Sequence, residues 1–350
     1  MIALSLTACQ PQASAHVTPS SSPAGPPGDL IYVQDPSAPR MLEMDWSGKV
    51  QGSVSSQGFS TPSPDGSRFF RATDRLRIED WRGHAVGALD ADPSSYGLGI
   101  WADDGKHFCG IVFPSGSGPD AGNASLWIGA PDEPGRVIAR VGKPGSQPGV
   151  VACSIKNNRA IVAGGLFPHL PWNGNRQLLT AEVQVVNLST GAMQFERVYP
   201  MGDLGAQGTI STQDDWVLVA ASPDARYIAE NGILRGTVVI REVPTGKPSA
   251  TLRGSVLGFN SDGSLVVLDA GNREASEVQV VSWLDQKVLW HGPGAGQSML
   301  ARPNSRDVMI GVHSIVGDDT DLIAVGGEGM SHVVSRNLSV SWPCPCPIGV

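Results

Sequence analysis

The chain has 350 residues, 41% of them hydrophobic and 17% charged, with a formal charge of −8. That hydrophobic share can bury a large core, and the absence of a basic stripe to neutralise phosphates excludes nucleic acid as a partner. No apolar run approaches the ~18 residues that span a bilayer, whereas 43 Gly and 27 Pro, scattered singly, suit many short strands joined by turns.

The N-terminus reads "MIALSLTAC", followed by "QPQASAHVTPSSSPAGPPGD", a Ser/Pro/Gly/Ala segment that cannot pack. Leu6-Thr7-Ala8-Cys9 resembles the lipobox of bacterial lipoproteins, whose cysteine is diacylated and becomes the first residue after cleavage. The resemblance implies that residues 1–28 are a truncated signal and a flexible tether, with Cys9 carrying the lipid. Two or three acyl chains suffice for stable anchoring, so the expected location is extracytoplasmic, lipid-anchored to the bacterial cell membrane, or secreted. Only eight residues precede Cys9 and none is charged, less than a full signal requires. Either the start codon lies further upstream or the tetrapeptide is a coincidence.

From residue 29 the chain reads as strands. "DLIYVQDPSAPRMLEMDWSGKVQGSV" (29–54) supplies three, and "STPSPDGSRFFRA" then places Ser63-Pro64-Asp65-Gly66 between two apolar runs. Pro presets φ, Asp bonds the backbone two residues on and Gly accepts a positive φ, so the run closes a hairpin. The signal returns at Asp103-Asp104-Gly105, Lys156-Asn157-Asn158, Ser222-Pro223-Asp224, Ser261-Asp262-Gly263 and Pro303-Asn304-Ser305. After each hairpin comes a second strand pair with its own turn, at Arg82-Gly83, Pro134-Gly135, Thr190-Gly191, Thr245-Gly246 and Asp285-Gln286. The unit is four antiparallel strands, a to d, recurring every 38 to 67 residues, the period of a β-propeller blade stretched in places by loops.

The ends complete the count. The first unit lacks strand a, and Leu338–Trp342 follows a finished blade as one lone strand. Pairing them closes a seven-bladed all-β propeller over residues 29–343 and removes an open edge, leaving 344–350 as a tail. The alternative is an open sandwich or two separate β domains. The SPDG turns resemble the PD40 repeats of TolB-type, WD40-like propellers, although the Gly-His and Trp-Asp signature of WD40 blades is missing. That resemblance implies the fold and leaves the partner open.

In this topology the a–b and c–d turns share one face of the disc, and the b–c and d–a connections share the other. The long insertions, 113–124, 166–177 and 201–215, all fall on the second face, which is the expected binding surface because loops carry function more often than scaffolds. Phe167, His169 and Trp172 would form its apolar centre, with Asp203, Asp214 and Asp215 as an acidic border; Trp and Tyr are favoured hot-spot residues. The alternative is that Trp172 folds back onto its own blade.

Catalytic signatures are missing: no G-x-S-x-G elbow, no phosphate-binding G-x-x-x-x-G-K-[ST] loop and no H-E-x-x-H pair occurs. The seven His are scattered singly, Asp318, Asp319 and Asp321 read as solvated acids, and "GPGAG" (292–296) reads as a loop. Cys109 lies on strand b of one blade and Cys153 on strand a of the next, which permits a disulfide or two buried thiols. The expectation is a monomeric, non-enzymatic binding or scaffold module for a protein or glycan, with no cofactor, no metal and no membrane contact beyond the lipid. The alternative is a lactonase- or lyase-like propeller enzyme working through its central channel.

Overall fold

In the computed structural model every described element is a strand, and the strands form seven antiparallel sheets. The structure describes residues 30–335 outside 35–39, 56–58, 64–67, 73–75, 81–83, 89–98, 114–123, 131–132, 143–145, 167–177, 205–209, 212–215, 233–235, 272–275, 303 and 314–319. Blade 1 holds β1 (Leu30–Gln34), β2 (Arg40–Asp45) and β3 (Val50–Ser55); blade 2 holds β4 (Phe59–Pro62), β5 (Arg68–Ala72), β6 (Leu76–Asp80) and β7 (Ala85–Ala88). Blade 3 holds β8 (Ile100–Trp101), β9 (Phe108–Val112), β10 (Ala124–Ala130) and β11 (Glu133–Val141). Blade 4 holds β12 (Ser146–Ser154), β13 (Arg159–Leu166), β14 (Leu178–Asn187), β15 (Met193–Leu204) and β16 (Ile210–Ser211). Blade 5 holds β17 (Trp216–Ala221), β18 (Tyr227–Gly232), β19 (Thr237–Glu242) and β20 (Pro248–Arg253). Blade 6 holds β21 (Ser255–Phe259), β22 (Leu265–Asp269), β23 (Glu277–Ser282) and β24 (Lys287–Pro293); blade 7 holds β25 (Ala295–Ala301), β26 (Val308–His313), β27 (Thr320–Val325) and β28 (Ser331–Ser335). In each sheet the strands lie side by side in chain order.

Side-chain alternation turns these sheets into a ring. Successive residues of a strand point to opposite faces, and in β22 Leu265 and Val267 pack against blade 7 while Val266 and Leu268 pack against blade 5. This is why the strands read as unbroken apolar runs: both faces of each blade are buried. The apolar side chains sort into seven clusters, each shared by two consecutive blades. The seventh seam joins the ends, with Met309, Leu322 and Ala324 of blade 7 against Ile31, Val33, Met44 and Trp46 of blade 1. Across the same seam, His332 donates from Nε2 to the Trp46 carbonyl at 3.0 Å and the Arg302 guanidinium lies 5.4 Å from the Trp46 ring centre. An open sandwich has no such seam. The fold is a seven-bladed β-propeller of mostly four-stranded blades. The expected closing strand, Leu338–Trp342, lies outside the described residues, as do Cys9 and the tail.

Three local readings change. The segment 201–215 is not simply a loop: β15 continues to Leu204, and β16 pairs back on it through Asp203↔Ser211 and Leu204↔Ile210, giving blade 4 a fifth strand. A 12-residue outer strand exposes a long unpaired edge, and the returning chain covers part of it. Pro134-Gly135 is not the c–d turn of blade 3, because β11 already begins at Glu133, opposite Ala130. Gly135 serves close approach instead, since a Cβ there would come within 2.0 Å of the Trp127 ring. "GPGAG" is strand rather than loop: β24 runs to Pro293, β25 starts at Ala295, and only Gly294 links them. Its φ of 117° and the 2.4 Å that would separate a Cβ from Val312 require glycine there.

Glu43 on β2 is an uncompensated feature of blade 1. It is buried, its Oε1 has no hydrogen-bond partner, and burial raises its carboxyl above the ordinary 4.5. A folded state that holds this proton more tightly than the unfolded chain is favoured at low pH. Its advantage declines as pH rises from 4.5 through the raised value. Glu43→Met is therefore expected to stabilise the protein at pH 7.5 by about 1–3 kcal/mol, the cost of one unsatisfied buried polar group. The gain should shrink at pH 4, and urea titrations at both pH values check it; an equal gain at both would refute the assignment.

Candidate binding cleft

The recurring turn explains itself once neighbouring blades are compared. In blade 3 the Asp103 carboxylate accepts from Ser154 Oγ at 2.6 Å and from the Ile155 amide at 2.7 Å, both on blade 4. The Asp103 amide in turn donates to the Cys153 carbonyl at 3.0 Å. Asn157 of blade 4 donates from Nδ2 to the Asp224 carbonyl of blade 5 at 2.8 Å. Tyr227 of blade 5 meets Trp283 of blade 6 edge-on at 4.8 Å between ring centres. Ser261 of blade 6 donates to the Ser305 carbonyl of blade 7. In blades 3, 4 and 6 the a–b turn thus bonds the next blade, which gives its shape a use at those seams.

Between blades 3 and 4 this face opens into a cleft of about 750 Å³, within the range of small-ligand sites. Ile128, Ile155 and Leu188 supply its apolar wall, and His107, Glu133, Arg136, Asn158 and Ser189 its polar groups. The turn residues set the polar groups in place. Asp104 accepts the amides of Lys106 and His107 through Oδ1, at 2.9 and 3.0 Å, and His107 Nδ1 lies 2.6 Å from its Oδ2. Burial opposes the charge on Asp104, yet those two amides and the imidazole hold its carboxyl below the ordinary carboxylate range. An ionised Asp104 assigns the proton of neutral His107 to Nδ1, and Nε2 then faces Glu133 Oε2 at 3.7 Å. On the blade 4 side, Asn158 Oδ1 accepts from Ser189 Oγ at 2.7 Å and Arg136 reaches the Leu188 carbonyl at 3.4 Å. Below the cleft, Cys109 and Cys153 sit buried in the seam with their Cα atoms 6.4 Å apart, joined as a disulfide.

The residues expected from sequence fall elsewhere. Phe167, His169, Trp172, Asp214 and Asp215 lie outside the described residues, and Asp203 is placed by its backbone on β15, opposite Leu178 and Ser211. Asp321 lies on β27, while Asp318 and Asp319 are outside the described residues. The cleft itself was missed because His107 reads as solitary. The available signal was Asp104-Gly105-Lys106-His107: a turn that brings its first and fourth residues together makes an Asp–His pair from a spacing of three.

No protein-family model and no curated protein sequence matches the chain. Among solved structures it is similar to the Cps50 (Swd1) β-propeller domain of Myceliophteria thermophila, at 9% identity over 81% of this chain and 90% of that one, TM-score 0.48. It is similar to hydrazine synthase of Kuenenia stuttgartiensis, at 13% identity over 89% and 98%, TM-score 0.49. TolB from Acinetobacter baumannii shares 15% identity over 79% of this chain and 61% of that one, TM-score 0.41. These similarities carry no argument about activity. The class of the protein, a seven-bladed β-propeller, rests on its own seven seams.

Proposed function

We propose that the chain is a non-enzymatic binding propeller of the TolB-type, PD40-containing kind, lipid-anchored through Cys9 at the cell envelope and presenting its disc to a protein or glycan. The observation that carries the binding role is the cleft between blades 3 and 4, where turn hydrogen bonds hold His107, Asn158 and Ser189 before any ligand arrives. Such pre-organisation lowers the entropy cost of binding. The envelope location is supported by the sequence around Cys9 and the tether behind it.

Trp172 and its neighbours are proposed as a second contact, on the opposite face. Partners captured from isolated envelopes with the wild-type protein provide the test. Trp172→Ala is expected to weaken a captured partner more than tenfold with a nearly unchanged melting temperature, as for a hot-spot Trp contributing about 2 kcal/mol. A partner bound normally by this variant removes the loop sector and leaves the cleft face. A clear loss of stability would instead assign Trp172 to its own blade.

A second reading, an enzyme of lactonase or lyase type, is favoured by one observation: the Asp104–His107 pair presents an oriented Nε2, the arrangement of a general base. Turnover of lactone or uronide substrates that disappears in His107→Ala would establish it.

A further inference from the structure

We propose that the cleft between blades 3 and 4 is a carbohydrate subsite that takes a vicinal diol of a neutral sugar, a proposal that rests on the binding reading above. The chemistry of the lining selects this class. With Nδ1–H committed to Asp104 at 2.6 Å, His107 Nε2 is an acceptor, and Glu133 Oε2 is a second acceptor 3.7 Å away. Two hydroxyls on adjacent carbons each donate to one of them, at the ~2.8 Å usual for such bonds. Arg136, from the same strand as Glu133, supplies donors for the hydroxyl oxygens. Ile155 and Leu188 on the blade 4 side then receive the apolar C–H face of the ring.

Charged ligands fit worse. A phosphate or carboxylate would meet Glu133, and an amine or guanidinium would meet Arg136; in a half-enclosed cleft each like-charge approach is costly. A neutral polyol meets His107, Glu133 and Arg136 without such conflict.

The test is an array of neutral hexose and N-acetylhexosamine oligosaccharides, followed by calorimetric titration of the strongest binder at pH 8. The wild-type protein is expected to bind. Glu133→Gln and Arg136→Ala should each lose tenfold or more while keeping the wild-type melting temperature, because both side chains are exposed. An analogue O-methylated at one of the paired hydroxyls should bind at least tenfold more weakly. No binding to any neutral oligosaccharide at millimolar concentration overturns the proposal, as does binding unaffected by the cleft variants. Absence of sugar binding beside a protein partner captured at full affinity by both Glu133→Gln and Arg136→Ala overturns the sugar subsite while leaving the binding-module reading standing.

Discussion

Glu230→Ala is expected to destabilise the propeller by about 3–5 kcal/mol, the cost of breaking a buried ion pair and leaving its partners uncompensated. Glu230 on β18 is fully buried, with Oε2 2.7 Å from Arg241 Nε on the neighbouring β19 and Oε1 3.3 Å from Arg197 Nε on β15 of blade 4. One carboxylate therefore ties two strands of its own blade to β15 of the preceding one. Removing it leaves Arg241, only 14% exposed, without its 2.7 Å counter-charge. Urea unfolding of the single variant measures the loss. The triple variant Glu230→Met, Arg197→Leu, Arg241→Leu should recover most of it, since a whole buried triad exchanged for apolar side chains is often close to neutral. A single variant as stable as the parent would mean that the carboxylate is solvated.

The second large effect concerns the bond across the cleft's own seam. Cys109 and Cys153 are 44 residues apart, and closing a loop of that size in the unfolded chain stabilises the folded state by about 4 kcal/mol in the chain-entropy account. Protein purified from an oxidising compartment is expected to contain this disulfide, to lose stability by that order on reduction, and to match Cys109→Ala/Cys153→Ala once reduced. Non-reducing peptide mapping checks the linkage, and free thiols at both positions would refute it. Reduction should also loosen the cleft, because the Cys153 carbonyl accepts the Asp103 amide and the same turn holds Asp104 and His107.

Architecture was legible in the sequence where a local signal had only one structural use. Pro, Asp and Gly at the a–b turns mark hairpins because few residues tolerate those torsions, and Gly105 and Gly263 do adopt positive φ. Blade 5 departs from the pattern: Ala225 takes φ 53° in place of glycine. Its methyl group is fully buried in the seam with blade 4, which offsets the backbone cost. Glycines were misread where they serve packing instead of turning, as Gly135 does against Trp127. β16 was not legible at all, since two residues, Ile210 and Ser211, show no alternation to read. The Glu230 triad was invisible for another reason: Arg197 comes from a different blade, and no spacing along the chain records that contact. The cleft belongs to the same category, assembled from two turns of blade 3 and two of blade 4.

The seven seams have a consequence for how the molecule comes apart. In an open stack of repeats the terminal unit is held by one neighbour, so unravelling starts there at the cost of a single interface. Here blade 1 is gripped by blade 2 through Tyr32, Met41 and Phe69 and by blade 7 through Ile31, Val33 and Met309. Any blade that leaves must break two interfaces, whichever blade it is. Slowly exchanging backbone amides should accordingly be distributed around the whole circle of inner strands, instead of being concentrated in a central segment between two fraying ends.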